Sequence, residues 1–172
     1  MTVKKLCYLV AFTTILFVQE EVLTIIPSVQ FTFLLILLYG ATLGIGYGSI
    51  VVVAHVLLDN LYMASFTIFT IGPMLIGYEV TLIIGYLLRN KSEWIVAISS
   101  IFCALFYVSL FYPINVYIYD VDLFAYFIAD IPFDLVMISC NFITVLFLFK
   151  PLKKVIDDSY IERYDLRFDD RG

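Results

Sequence analysis

The chain has 172 residues, of which 63% are hydrophobic and 15% charged, with a mean hydropathy of +1.02 and a formal net charge of −5 at pH 7. Soluble domains run at about 45–50% apolar with about a quarter of residues charged, and a chain this short has too little interior to hide the excess from water. These values exclude a soluble globular domain and point to an all-α membrane protein with several spans, for which no nucleic-acid partner is expected.

A spanning helix needs about 20 mostly apolar residues, fewer where it is short or kinked. The first expected span covers residues 6–18 and continues amphipathically toward 26. Lys4 and Lys5 ahead of it imitate a signal peptide, but no small-x-small cleavage site follows. Gln19, Glu20 and Glu21 follow instead, so the segment reads as a retained helix. The second span, 29–40, is short, and it joins the third, 41–58, within the glycine-rich "YGATLGIGYGS". The fourth covers 71–88, the fifth 94–112 and the last 123–149. Gly40, Gly44 and Gly48 recur every four residues, and Cys7 and Ala11 form a small-x-x-x-small pair. Such stripes let helix backbones approach closely, inside the bundle or against another membrane subunit.

With six spans, both termini share one side. All ten basic residues then fall there: Lys4, Lys5, Arg89, Lys91, Lys150, Lys153, Lys154, Arg163, Arg167 and Arg171. None lies in the connections at 19–30, 59–70 or 113–122. The positive-inside rule makes that side cytoplasmic. Residues 1–150 are thus expected to form the transmembrane domain, and 151–172 a charged cytoplasmic tail whose lysines sit near anionic headgroups.

No nucleotide-binding loop, nucleophile elbow or His/Glu metal motif occurs, so the chain reads as a non-enzyme with no cofactor and no metal. Cys7, Cys103 and Cys140 all fall in apolar runs and form no C-x-x-C pair.

The outward connections are acidic and amide-rich, with Gln19, Glu20, Glu21 and Gln30 in the first, Asp59 and Asn60 in the second, and Asn115, Asp120 and Asp122 in the third. Within the spans lie His55, Glu79, Asp130, Asp134 and Asn141. Ionisable groups at membrane depth face a cavity, a partner or the bundle interior. Asp130, Asp134 and Asn141 fall on one stripe of the last helix. Two readings stand for Asp130: N-cap of that helix, with Pro132 in its first turn, or part of a polar cavity. Asp134 lies too far inside for capping. Glu79, next to Tyr78, is either a bundle contact or a ligand group, and His55 reads as a core histidine. With no Lys or Arg on the outer half, the expected ligand is neutral or cationic and rich in hydrogen-bond donors, with a ring to stack on aromatic side chains.

The ending "ADIPFDLVMISCNFITVLFLFKPLKKVI" resembles the final helix of the substrate-binding S components of energy-coupling factor (ECF) transporters, with its proline, acidic residue, Asn and closing Pro-Leu with basic residues. The early "QEEVLTIIPSVQFTFLLILLYG" is similar to their first loop and second helix. The resemblance implies a vitamin-binding subunit in a bacterial plasma membrane that takes its substrate near the outer face. It also implies docking onto a transmembrane coupling subunit that works with two cytoplasmic ATPases. By position, Glu79 and Asn141 match places where such proteins contact substrate, and Asp134 faces the same cavity. The expected substrate residues are therefore Gln30, Tyr78, Glu79, Asp130, Asp134 and Asn141, and the expected docking residues Cys7, Ala11 and Gly44. The docking helix of the family often carries Ala-x-x-x-Ala, where this chain has Cys7 and Ala11. A different resemblance, of "GYGSIVVVAHVLLDNLYMASFTIFTIGPMLIGY" to rod-shape-determining membrane proteins of cell-wall elongation, implies a scaffold with no small ligand.

Overall fold

The computed structural model describes residues 3–158 other than 27 and 121. Five helices account for nearly all of them: α1 (Val3–Leu23), α2 (Thr32–Tyr62), α3 (Ile68–Leu87), α4 (Glu93–Tyr119) and α5 (Leu123–Ile156). Each is long and apolar enough to cross a membrane. In hydrocarbon the backbone must satisfy its own hydrogen bonds, which a continuous helix does. The outward surface is apolar as well, with Leu61, Phe102 and Phe147 each about two-thirds exposed, a surface suited to lipid contact and costly in water. Arg163, Arg167 and Arg171 of the expected tail lie outside the described residues.

The segments expected as second and third spans fall within one helical run, α2, interrupted at Gly44. There the backbone takes φ 76° and ψ 178°, a conformation open to glycine and strained for any residue with a Cβ. Before the break, the Phe33 ring meets Tyr78 and the backbones of Leu37 and Gly40 meet α3 at Gly85 and Leu82. After it, Gly48 meets Leu82, Ser49 meets Glu79, His55 meets Tyr78 and Asn60 meets Met74. Before the break the contacts advance along α3 from Tyr78, met by Phe33, to Leu82 and Tyr86, met by Gly40, and after it they retreat from Leu82 to Met74, so α2 doubles back at Gly44 and lays both halves against α3.

Two glycines make that packing possible. A Cβ at Gly40 would collide with the Leu82 carbonyl, and one at Gly85 with the Leu37 carbonyl. Small residues at such crossings let backbones touch and gain dispersion where lipid offers no hydrophobic drive. Helix α1 closes the other side of α2, where Tyr39 Oη donates to the Phe12 carbonyl at 3.1 Å. Helix α4 lies antiparallel to α3 through the Gly77–Tyr107 contact, and α5 lies antiparallel to α4.

The described basic residues collect at one end of the bundle. Lys5 stands over the Tyr47 ring just past the Gly44 break, and Arg89 over Tyr86. Lys153 donates to the Arg89 carbonyl at 2.6 Å, and Lys150 pairs with Glu93. The start of α1, the Gly44 turn, the α3–α4 connection and the end of α5 therefore share this end. The other connections share the opposite, acidic end.

Helix α5 corrects one expectation. Its N-cap is Asp122, whose Oδ1 accepts from Phe124 N at 3.0 Å and Ala125 N at 2.9 Å. Asp130 and Pro132 lie two to three turns inside the helix, so Asp130 caps nothing. The sequence offers an aspartate at both places, and the apolar residues 123–129 extend the helix back to the earlier one. At its other end α5 continues through Pro151 to Ile156, past the expected boundary of the last span.

The break supplies a stability test. Gly44→Ala should lower stability in thermal unfolding of the detergent-purified protein by about 1–3 kcal/mol. Gly46→Ala, where nothing lies within 4 Å of the new Cβ, should preserve or slightly raise it. A tolerated Gly44→Ala would show that the turn does not depend on this backbone conformation.

Candidate functional site

At the acidic end, the α1–α2 connection, the end of α2, the start of α3 and the middle of α4 enclose a cavity of about 400 Å³. That is within the ordinary range for small-molecule sites. Its polar lining includes Glu20, Gln30, Asp59, Asn60 and Thr70, and its apolar lining includes Met63, Met74, Tyr107 and Phe111. No Lys or Arg lines it among the described residues.

The α1–α2 connection is held over the cavity by two adjacent side chains of α1. Gln19 Nε2 donates to Thr32 Oγ1 at 2.9 Å, and its Oε1 accepts from Phe31 N at 2.9 Å, which satisfies one of the free amides at the start of α2. Glu20 Oε2 accepts from Thr32 Oγ1 at 3.1 Å and lies 3.0 Å from His55 Nε2. His55 is fully buried and sits in the bundle core, as the sequence suggested. Gln30 reaches the opposite way: its Nε2 donates to Met137 Sδ at 3.6 Å, and its carbonyl accepts from Cys140 Sγ at 3.8 Å. The connection is thereby tied to α2 and α5 together.

On the far side, the α2–α3 turn is fixed by its own bonds. Asn60 Nδ2 donates to the Val56 carbonyl at 2.9 Å and to Met74 Sδ at 3.2 Å, while Thr70 Oγ1 donates to the Ser65 carbonyl at 2.6 Å. Asp59, one residue earlier, is only 9% exposed, and no hydrogen bond or ion pair reaches its carboxylate among the described residues. A nearly buried carboxylate without a partner is costly unless something else supplies donors or positive charge.

Beneath the cavity lies an aromatic floor. Tyr78 and Tyr107 stack with centroids 4.9 Å apart and planes 13° from parallel, and their hydroxyls are 3.4 Å apart. Phe33 meets both edge-on at 5.9 and 5.5 Å, the favoured geometry for aromatic quadrupoles. Tyr107 in turn leans on Phe111.

The expected substrate residues are distributed unequally around this site. Gln30 lines the cavity, and Tyr78 lies fully buried behind Tyr107, which does line it. Glu79, the next residue, is not in the cavity lining and accepts from Ser49 Oγ of α2 at 2.7 Å. Asp134 accepts from Tyr112 Oη in a separate polar cluster between α4 and α5, with half-buried Asp130 one turn away. Asn141 is fully buried on the inward stripe of α5 with Met137 and Val145, and neither amide atom has a hydrogen-bond partner among the described residues. Cys7 and Ala11 are exposed on α1, whereas Gly44 forms the turn of α2. Glu20, Asp59, Asn60, Tyr107 and Phe111 were not singled out as site residues from the sequence. The acidic and amide character of the outward connections was the available signal for the first three.

Comparison with protein-family models, with curated proteins and with solved structures gives no match.

Asn141 offers a direct probe. A buried amide with both polar atoms unpaired costs about 1–3 kcal/mol relative to an apolar residue of similar shape. Asn141→Leu should therefore leave the thermal stability of ligand-free protein unchanged or raise it. A loss beyond about 2 kcal/mol would show that the amide holds a stabilising contact.

Proposed function

We propose that this chain is the membrane-embedded substrate-binding subunit of an ECF-type importer in a bacterial plasma membrane. In this reading the two halves of α2 are separate crossings, giving six spans with both termini cytoplasmic. The subunit takes up a vitamin-like micronutrient, neutral or cationic, in the cavity at the acidic end, which faces outward. It hands the substrate inward when docked on a transmembrane coupling subunit driven by two ATPases. The exposed α1 face carrying Cys7 and Ala11 is the docking surface.

The observation that carries this reading is the cavity itself. It lies at the end away from the basic residues, has an aromatic floor, is lined by carboxylates and amides, and is covered by the same α1–α2 connection that carries part of the family resemblance. The distribution of basic residues supports the orientation, since positive charge marks the cytoplasmic side. Substrate approaching from outside would meet Gln30, Asp59 and Thr70 before the rings of Tyr107 and Phe111. Such an arrangement desolvates a ring while keeping polar groups paired, which suits a small polar heterocycle.

Native mass spectrometry of the protein purified from its host in mild detergent tests the proposal. The expected result is a retained small molecule that is lost in Tyr107→Ala, together with co-purification of a coupling subunit and a pair of ATPases. An empty protein that brings down cell-wall synthesis proteins instead would overturn it in favour of the scaffold.

A further inference from the structure

The proposed function leaves the ligand either neutral or cationic. We infer that the cavity selects an organic cation, with its positive group held between Glu20 and Asp59 and its ring against Tyr107 and Phe111. This rests on the reading of the cavity as a binding site and narrows the chemistry of what enters it.

The argument is one of charge balance. Glu20 and Asp59 both line the cavity, and no Lys or Arg among the described residues does. The described basic side chains gather at the other end of the bundle, about 25 Å away along α3 at 1.5 Å per residue. The one nearby group able to carry positive charge is His55, 3.0 Å from Glu20 and fully buried. Even as imidazolium it offsets a single carboxylate. Asp59, 9% exposed and lining the cavity, then has no hydrogen bond or ion pair of its own among the described residues and shares His55 with Glu20 as the nearby positive group. A ligand cation supplies the missing charge where the low dielectric makes the attraction strong.

The walls agree with this assignment. Tyr107 and Phe111 bring ring surface to the cavity, and cations are attracted to ring faces when desolvated. Met63 and Met74 add polarisable thioethers that adapt to ring shape. An anion would meet two carboxylates and no compensating cation, so it is rejected by like charge as well as by desolvation. A bare metal ion is a poor match, because no cluster of three or more ligating side chains is present among the described residues. The occupant is therefore a molecule with a delocalised or amine cation and a ring.

Three indoles that share a ring and differ in the charge of a short tail provide the test: tryptamine, tryptophol and indole-3-acetate. Their binding to the full chain in lipid nanodiscs, corrected for empty discs, is measured by equilibrium dialysis at neutral pH. Tryptamine should bind at least about ten-fold more tightly than tryptophol, and indole-3-acetate should show no binding above the empty discs. Asp59→Asn and Glu20→Gln should each remove most of the tryptamine advantage over tryptophol, with the fold of each variant checked independently by its thermal unfolding in detergent. Equal binding of tryptamine and tryptophol, preference for indole-3-acetate, or no binding of tryptamine would each overturn the inference. A neutral molecule retained from the host, with the coupling subunit and ATPases co-purifying, would overturn the cation assignment and leave the importer reading standing.

Discussion

The contact on which the rest of this structure depends is the meeting of α2 and α3 at Gly40 and Gly85. Each glycine faces a carbonyl of the other helix, so the two backbones touch without side chains between them. In a bilayer, apolar side chains gain little by leaving lipid for protein, and close packing supplies much of the cohesion between helices. With its first half pinned there, α2 can reverse at Gly44 and return along α3. The return brings His55 beneath Glu20 and Asp59 to the edge of the cavity. The site is thus assembled by a backbone contact nearly the length of α3 away.

The same packing explains why polar groups cluster where they do. Each helix exposes apolar side chains to the surroundings and turns its polar ones inward. Inward groups mostly find partners on neighbouring helices: Glu79 on Ser49, Asp134 on Tyr112, Asn115 on Tyr126. Each of these pairs supplies one hydrogen bond across a helix contact. Groups around the cavity are in a different position. Gln19 is engaged in holding the connection, whereas the Asp59 carboxylate has no hydrogen bond or ion pair among the described residues. What separates these groups is unfilled hydrogen-bonding and charge capacity rather than residue type.

That distinction also decides what could be read in the sequence. Apolar length alone located the helices, and the lack of basic residues in alternate connections anticipated their gathering at one end. Helical periodicity anticipated that Met137 and Asn141 face inward on α5. Periodicity describes a face and says nothing of the neighbour across from it, so it did not show that Glu79 bonds Ser49 or that Asp134 bonds Tyr112. The glycine stripe was visible, but it could not show that Gly40 and Gly48 pack while Gly44 turns the chain, because those roles differ only in backbone dihedrals. The start of α5 was ambiguous for a local reason: Asp122 and Asp130 are both chemically able to cap, and only the helical conformation of the residues between them chooses.

One consequence of the α2 reversal concerns bilayer thickness. The half that runs from Thr32 to the break has about 12 residues and a length of about 18 Å, well short of the roughly 30 Å of a hydrocarbon core. A lipid-facing helix of that length would force the bilayer to thin around it. From Thr32 to Gly40, however, every residue except Leu35 is buried within the protein. The segment meets the surrounding helices instead of acyl chains, so its length is matched to the inside of the bundle. The membrane need not deform to accommodate it.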